Sequence, residues 1–443
     1  HLLFASNWFG GRKVYREPNW QWQKPYSFPV LHPAMLLGGY NADPNSRRIV
    51  TGLADGYLAH AYTNAKGQWA LPNEINWKTG KTRGGELFEG SGGADTLHTF
   101  WAAYRWTGEA RYLKPIDYRV ANAGPAGLSL LNENFLDLLG KRDSWGADLA
   151  KAAAKPDAVP DFAHHAAWEA SGDTAWLDAL YRAETRDKLQ SFYMNTEGHW
   201  WSDRVESPTV NLQRARLGGV ALKRNQTYPG HTVSWRFADP EGAVQVALLL
   251  PKPRQDRFTV IGYNTGGKLQ RAQMTGWNVA AGQWRMRSGV DRDGDERIDG
   301  KPATREFTFE KSGAVDVEFP AGKTVVMEFE LVAPAAVPVE QRPDLGIGRG
   351  DLRVSAEAID VTVHSLGHAD APAGLVVLED AHGRELARAA FPALGASRDL
   401  EPRTANVRLA VPARASTKGG RLRVVAESEV DEVTQRNNAM ELP

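Results

Sequence analysis

The chain of 443 residues has room for about three domains, and its 53 Lys and Arg balance its 53 Asp and Glu. Zero net charge provides no cationic field for nucleic acid or acidic lipid, and the absence of Cys excludes a disulfide scaffold, a thiolate metal centre and a Cys nucleophile. All 15 Trp lie between Trp8 and Trp284 and all 12 Tyr between Tyr15 and Tyr263, so Phe is the only aromatic residue beyond Trp284.

No apolar run is long enough for a membrane span, and no charged segment followed by an apolar one opens the chain. The first residue is His1 rather than Met, which fits a processed or excised chain. A secreted or periplasmic protein is expected, with its signal peptide removed or outside this chain.

From the N-terminus, Asn7-Trp8-Phe9, Tyr15-Arg16 and the run from Asn19 to Tyr26 alternate flat rings with amides and cations in a stretch too rich in Pro for a helix. Such rings suit the faces of sugars, and Trp20, Trp22 and Tyr26 are the candidate substrate contacts. A helix is expected over about 47–62, pairing Leu53 with Tyr57 and Ala54 with Leu58. Residues 71–93 read as one long loop without periodic apolar content, a length that marks a functional segment. It carries Asn73, Glu74, Trp77, Arg83, Glu86 and Glu89.

The next helix, over 93–107, sets Leu97, Trp101 and Tyr104 on an apolar face, with Asp95, His98, Ala102 and Arg105 as a polar stripe opposite. Either Asp95 orients His98 for moving a proton, or the stripe is a solvated helix face with one ordinary His. The pattern of 102–113 returns at 166–177, each copy reading as helix, tight Gly turn and helix, with an acidic residue after the Gly to cap the incoming helix. Repeated helical hairpins predict a partial α/α toroid over 1–205, with too few helices for a closed ring unless a preceding chain or fragment completes it. His164 and His165 diverge on a helix and read as structural, and Trp200-Trp201 as packing at the boundary with the next domain.

From residue 206 the period changes to two. Val315/Val317/Phe319, Val325/Met327/Phe329/Leu331, Gln245–Leu250 and Phe258–Ile261 predict an antiparallel β-sandwich over 206–332. Within it, Asp291, Asp293, Asp295 and Asp299 follow the spacing of a calcium loop, with Gly, Glu and Pro at positions where an EF-hand differs, so the segment reads either as a structural Ca2+ site or as an acidic hairpin turn between strands. A Pro/Ala-rich linker over 333–343 leads to an immunoglobulin-like sandwich over 344–443, with strands at Leu352/Val354, Ile359/Val361/Val363, Val376/Leu378, Val407/Leu409/Val411 and Leu422/Val424. The expected class is therefore multidomain α+β.

Pro343-Asp344-Leu345, the segment from Val361 to Gly367 and the closing run from Glu432 to Asn438 resemble the bacterial adhesion-related Ig-like repeats called CARDB, which implies a non-catalytic spacer of an exported protein. The order of helical hairpins then β-sandwich, with the Thr107-Gly108-Glu109 turn before Tyr112-Leu113, is similar to exported polysaccharide lyases of the heparinase II/III kind. That resemblance implies cleavage of a uronate-containing polysaccharide by β-elimination. Elimination needs a base and a neutraliser of the uronate carboxylate. His98 or His32 would supply the first, and Arg83, Asn73 or Arg105 the second. Toroid glycoside hydrolases share the helical part, and hydrolysis would use two carboxylates from Glu74, Glu86 and Glu89. A non-catalytic glycan-binding or adhesion protein is the third reading.

Overall fold

The computed structural model describes residues 2–3, 21–23, 31–87, 96–122, 164–165, 167–168, 171–190, 210–219, 230–355, 357–398, 401–412 and 417–442. Two units form, one from residues up to 32 together with 50–334, the other from 33–49 together with 335–443.

In the first unit, β1 (Trp22–Gln23) precedes two β-hairpins, β2 (Tyr62–Thr63) with β3 (Trp69–Ala70) and β4 (Pro72–Asn76) with β5 (Thr82–Glu86). β1 joins the second hairpin as a third antiparallel strand, Trp22 opposite Asn76. The stretch expected as an unstructured loop is thus largely a hairpin. Its turn is coded locally: the Asn76 side chain accepts from the backbone N–H of Lys78 (3.0 Å) and Thr79 (2.9 Å), and Gly80 takes a left-handed φ of 68°. Asn64 does the same for the first hairpin, accepting from Lys66 and Gln68 before Gly67 at φ 74°. Polar, Gly-rich strands hid both hairpins, because β5 is exposed along nearly its whole length and has no apolar alternation.

Two helices flank these hairpins in sequence. α1 (His32–Tyr40) is followed by α2 (Pro44–Leu58), where Asp43 accepts from the Ser46 N–H at 2.6 Å and Pro44 opens the first turn, so the helix starts before the expected residue 47 and ends before β2. Farther on come α3 (Thr96–Thr107), α4 (Lys114–Asn122), α5 (Ala175–Gln190) and α6 (Val210–Leu217).

The sequence repeat is reproduced bond by bond. Gly108 and Gly172 both adopt left-handed φ (72° and 74°), and both donate to the carbonyl four residues back at 2.7 Å. Thr107 and Ser171 hydroxyls return to the carbonyls of Ala103 and Ala167 and accept the N–H of Glu109 and Asp173. Tyr112 and Trp176 then turn inward at equivalent positions, 1% and 5% exposed. Only Asp173 caps its helix, through the Ala175 N–H at 3.0 Å; Glu109 pairs with Arg111 instead. The described residues form the mixed α+β arrangement expected, with β-hairpins separating α2 from α3; a ring of such hairpins is not shown among them.

The first β-sandwich uses β6 (Val233–Phe237), β7 (Val246–Leu249), β8 (Arg257–Asn264), β9 (Gln270–Gly276), β10 (Gly282–Asp291), β11 (Ala303–Phe309), β12 (Ala314–Phe319) and β13 (Thr324–Pro334). A short helix, α7 (Gly242–Gln245), lies between β6 and β7. The sheets run β11-β10-β13-β8-β7 and β12-β9-β6, with every pairing antiparallel. Along β12, Val315, Val317 and Phe319 point inward and their neighbours outward, the expected period of two. On the inner face of the five-stranded sheet Trp284 packs edge-on to Phe309 of the neighbouring strand at 5.7 Å, and Phe258 stacks on its cross-strand partner Phe329 at 4.5 Å.

In the second unit, β14 (Leu345–Gly346), β15 (Leu352–Val354), β16 (Ala358–Ser365) and β19 (Arg403–Ala410) form one sheet. β17 (Gly374–Glu379), β18 (Glu385–Phe391), β20 (Arg421–Ala426) and β21 (Ala439–Glu441) form the other. The core is aliphatic, with Ile359, Val361, Val363, Leu378, Leu409 and Leu422 buried and Phe391 its aromatic member. The linker ends in Arg342, 1% exposed, whose Nε donates to the Val337 carbonyl at 2.8 Å and whose Nη1 donates to that of Glu432 at 3.3 Å. Beside it Asp344 is fully buried and accepts from the Tyr40 hydroxyl, the Thr434 N–H and the Asn437 amide.

Candidate functional site

The candidate residues on the hairpins fall into two groups. In the first, the Glu74 carboxylate pairs with the Arg83 guanidinium directly across the ladder, and that guanidinium lies over Trp22, 4.0 Å from the ring centroid. β1 brings Trp22 there by pairing with β4, and the Trp77 N–H closes the same edge on the Gln21 carbonyl at 2.9 Å. The Arg83 side chain keeps 46% of its surface in solvent while Glu74 keeps 12%, so the guanidinium is the more exposed partner of a neutral pair. Lys78 lies 5.3 Å over Trp77 at the turn. Asn73 sits in the bulge between Pro72 and Glu74, opposite Gly84 and Gly85, both at positive φ.

In the second group, Glu86 accepts from the Tyr118 hydroxyl at 2.6 Å and the Asn64 amide at 2.7 Å. Burial, together with Glu86, pushes the Tyr118 hydroxyl up to about 12, so it stays protonated and donates. Trp69 meets Tyr118 edge-on at 5.6 Å, and the Lys114 ammonium lies 4.9 Å over the Trp69 ring. Asn64, Trp69, Lys114 and Tyr118 were not among the residues singled out from sequence. The available signal was Tyr62-Thr-Asn-Ala-Lys-Gly-Gln-Trp69, two aromatics flanking an Asn-and-Gly turn, as hairpins do.

Of the remaining candidates, His98 and Arg105 lie on α3. His98 is only 2% exposed, and Thr99, Phe100, Ala102 and Ala103 are also buried. The helix therefore carries no continuous exposed polar stripe: it is packed nearly all round in its first two turns, and polarity returns only at Arg105. Arg105 donates to the Asn278 side-chain oxygen at 3.3 Å, which also accepts from Gln255 at 2.8 Å, and so engages the β-sandwich. Trp20, Tyr26, Glu89, Asp95, Trp200 and Trp201, and the side chain of His32, lie outside the described residues.

In the acidic loop, Asp291, Asp293 and Asp299 bring carboxylate oxygens within 4.8 Å of one another; Asp295 is not part of that group. These oxygens also hold the loop's own turns. Asp291 accepts from Gly294 (2.7 Å) and Glu296 (3.0 Å), Asp299 from Arg292 (2.6 Å), and Asp295 from Arg297 (3.0 Å). Burial and Asp291 raise the Glu296 carboxyl above its ordinary range. Carboxylates retain further lone pairs, and three converging oxygens are a donor set that suits a hard cation.

No family model and no curated protein matches the chain. Among solved structures, β-glucuronidase from Ruminococcus gnavus is similar at 9% identity and a TM-score of 0.15, over 43% of this chain and 36% of that one. The FMN-binding β-glucuronidase from Faecalibacterium prausnitzii is similar at 13% identity and a TM-score of 0.15, over 44% and 36% respectively. The matched part spans little more than a third of those enzymes, and a likeness at these TM-scores carries no weight for activity. No helix among the described residues is long and apolar enough to cross a membrane.

Proposed function

We propose that the chain degrades a uronate-containing polysaccharide, cleaving it by β-elimination beside the sheet of β1, β4 and β5. The observation that carries this reading is the Arg83 guanidinium held over the Trp22 ring, 4.0 Å from its centroid, and paired with Glu74. A uronate offers an apolar ring face to an aromatic and a carboxylate to a guanidinium. Neutralising that carboxylate is what makes the neighbouring carbon acidic enough to lose its proton. Asn73 and Arg105 are further candidates for this neutralising role; His98 and His32 are the proposed bases, with His32 preferred because His98 is only 2% exposed. The reading extends to export and to a structural Ca2+ held by Asp291, Asp293 and Asp299.

Hydrolysis is the second reading, favoured by Glu74 and Glu86 standing on adjacent strands of one hairpin. The test is to incubate the chain with uronate glycans and follow both ultraviolet absorbance and reducing ends. Elimination creates an unsaturated, absorbing product. Reducing ends without absorbance support hydrolysis, and saturable binding with neither product supports a non-catalytic glycan-binding protein.

A further inference from the structure

We infer that Glu86, Asn64, Tyr62, Trp69, Lys114 and Tyr118 form a second sugar subsite, one that holds an acidic pyranose through its hydroxyls and carboxylate rather than acting on it. This inference rests on the uronate-glycan reading above and assigns Glu86 to binding. Glu74 spends its charge on Arg83, whereas Glu86 pairs with no Arg, Lys or His among the described residues. Its two partners, the Asn64 amide and the Tyr118 hydroxyl, are neutral donors that fix the orientation of the carboxylate without cancelling it. A carboxylate offers about four acceptor positions, so about two remain for incoming donors. Two adjacent sugar hydroxyls supply that pair of donors at the right spacing for a carboxylate.

The surroundings match the rest of such a ring. Tyr62 is 37% exposed, and Trp69 and Tyr118 are half-buried with their rings edge to face. The exposed Lys114 ammonium sits over Trp69 at 4.9 Å, within the same patch, where a uronate carboxylate would find a cation. Two rigid devices hold the arrangement: the Asn64 turn that closes the first hairpin, and α4, which carries Lys114 and Tyr118 one helical turn apart.

The experiment is native electrophoresis of the full chain through gels containing polygalacturonate, alginate or hyaluronan. Wild type should be retarded by at least one glycan. In that gel Glu86→Gln, Trp69→Ala and Lys114→Ala should each bind about tenfold more weakly, while thermal unfolding shows the variants folded. Lys114 is exposed, so its variant remains informative if one of the others fails to fold. Retardation of wild type with equal retardation of Lys114→Ala and the folded variants overturns the subsite and leaves the uronate reading standing. No retardation of wild type by any of the three overturns both.

Discussion

The two β-sandwiches bury different chemistry. The first fills its interior with Trp284, Phe258, Phe309, Phe319 and Phe329, and sends its charges outward as cross-strand pairs such as Arg285 with Glu306 and Arg287 with Glu328. The second has an aliphatic core and buries its charges: Asp344, Glu432 and Arg342 are all under 9% exposed, tied by Tyr40, Asn437 and Asn438. Large rings supply enough burial for one sandwich to stand on packing. The other needs a polar network to hold its linker and the 33–49 segment in place.

The contrast predicts unequal responses, the largest in the aromatic core. Trp284→Ala should cost about 3–5 kcal/mol of the first unit's stability, read as a fall in its denaturant midpoint with the second unit's transition unmoved. A single shared shift would mean that the two units do not unfold separately.

Acidity should then drive the two units in opposite directions. Burial raises Asp344 from 3.8 to about 6, so between those values the folded second unit holds a proton the unfolded chain has lost. Its stability is full at the acid end and falls as pH rises, by on the order of 3 kcal/mol. Burial lowers His231 of the first unit from 6.5 to about 4, so there the unfolded chain binds the extra proton. That contribution is present above pH 6.5 and is lost as pH falls toward 4, on a similar scale of about 3 kcal/mol. Thermal melts from pH 4 to 7 should show the transitions diverging, and Asp344→Asn should flatten the second alone.

A smaller effect is expected at Gly262, where an added Cβ would collide with the Phe319 ring, so Gly262→Ala should overpack the first core by about 1–3 kcal/mol. Least of all, Arg285→Ala should change stability by less than about 1 kcal/mol, since both partners of that pair are well exposed. Chemical denaturation of both variants checks the order.

Legibility followed periodicity. Alternation along 314–319 and 324–331 marked strands of the first sandwich because one face of each meets the core. The Gly turns at 108 and 172 were readable because only a left-handed cap explains a Gly between two apolar helical runs. The hairpin of 72–86 was not, because its outer strand is exposed and its register rests on an Asn side chain and two glycines rather than on apolar residues. The polar and aromatic residues of that segment were readable, but their grouping was hidden. Glu74 finds Arg83 through a strand ladder, and Glu86 finds Tyr118 across 32 residues, a distance that no local pattern encodes. The setting of His98 was not legible either, since helix α3 buries the face that polarity alone marks as solvated.

β-Elimination on a uronate glycan at the Trp22, Arg83 and Glu74 surface, as proposed, is tested by the ultraviolet absorbance of the products when the wild-type chain and Arg83→Ala are each incubated with the same uronate glycan. Absorbance should rise with wild type and fall by at least about a hundredfold in Arg83→Ala. Reducing ends without absorbance from the wild-type chain, or undiminished absorbance from the variant, would contradict it.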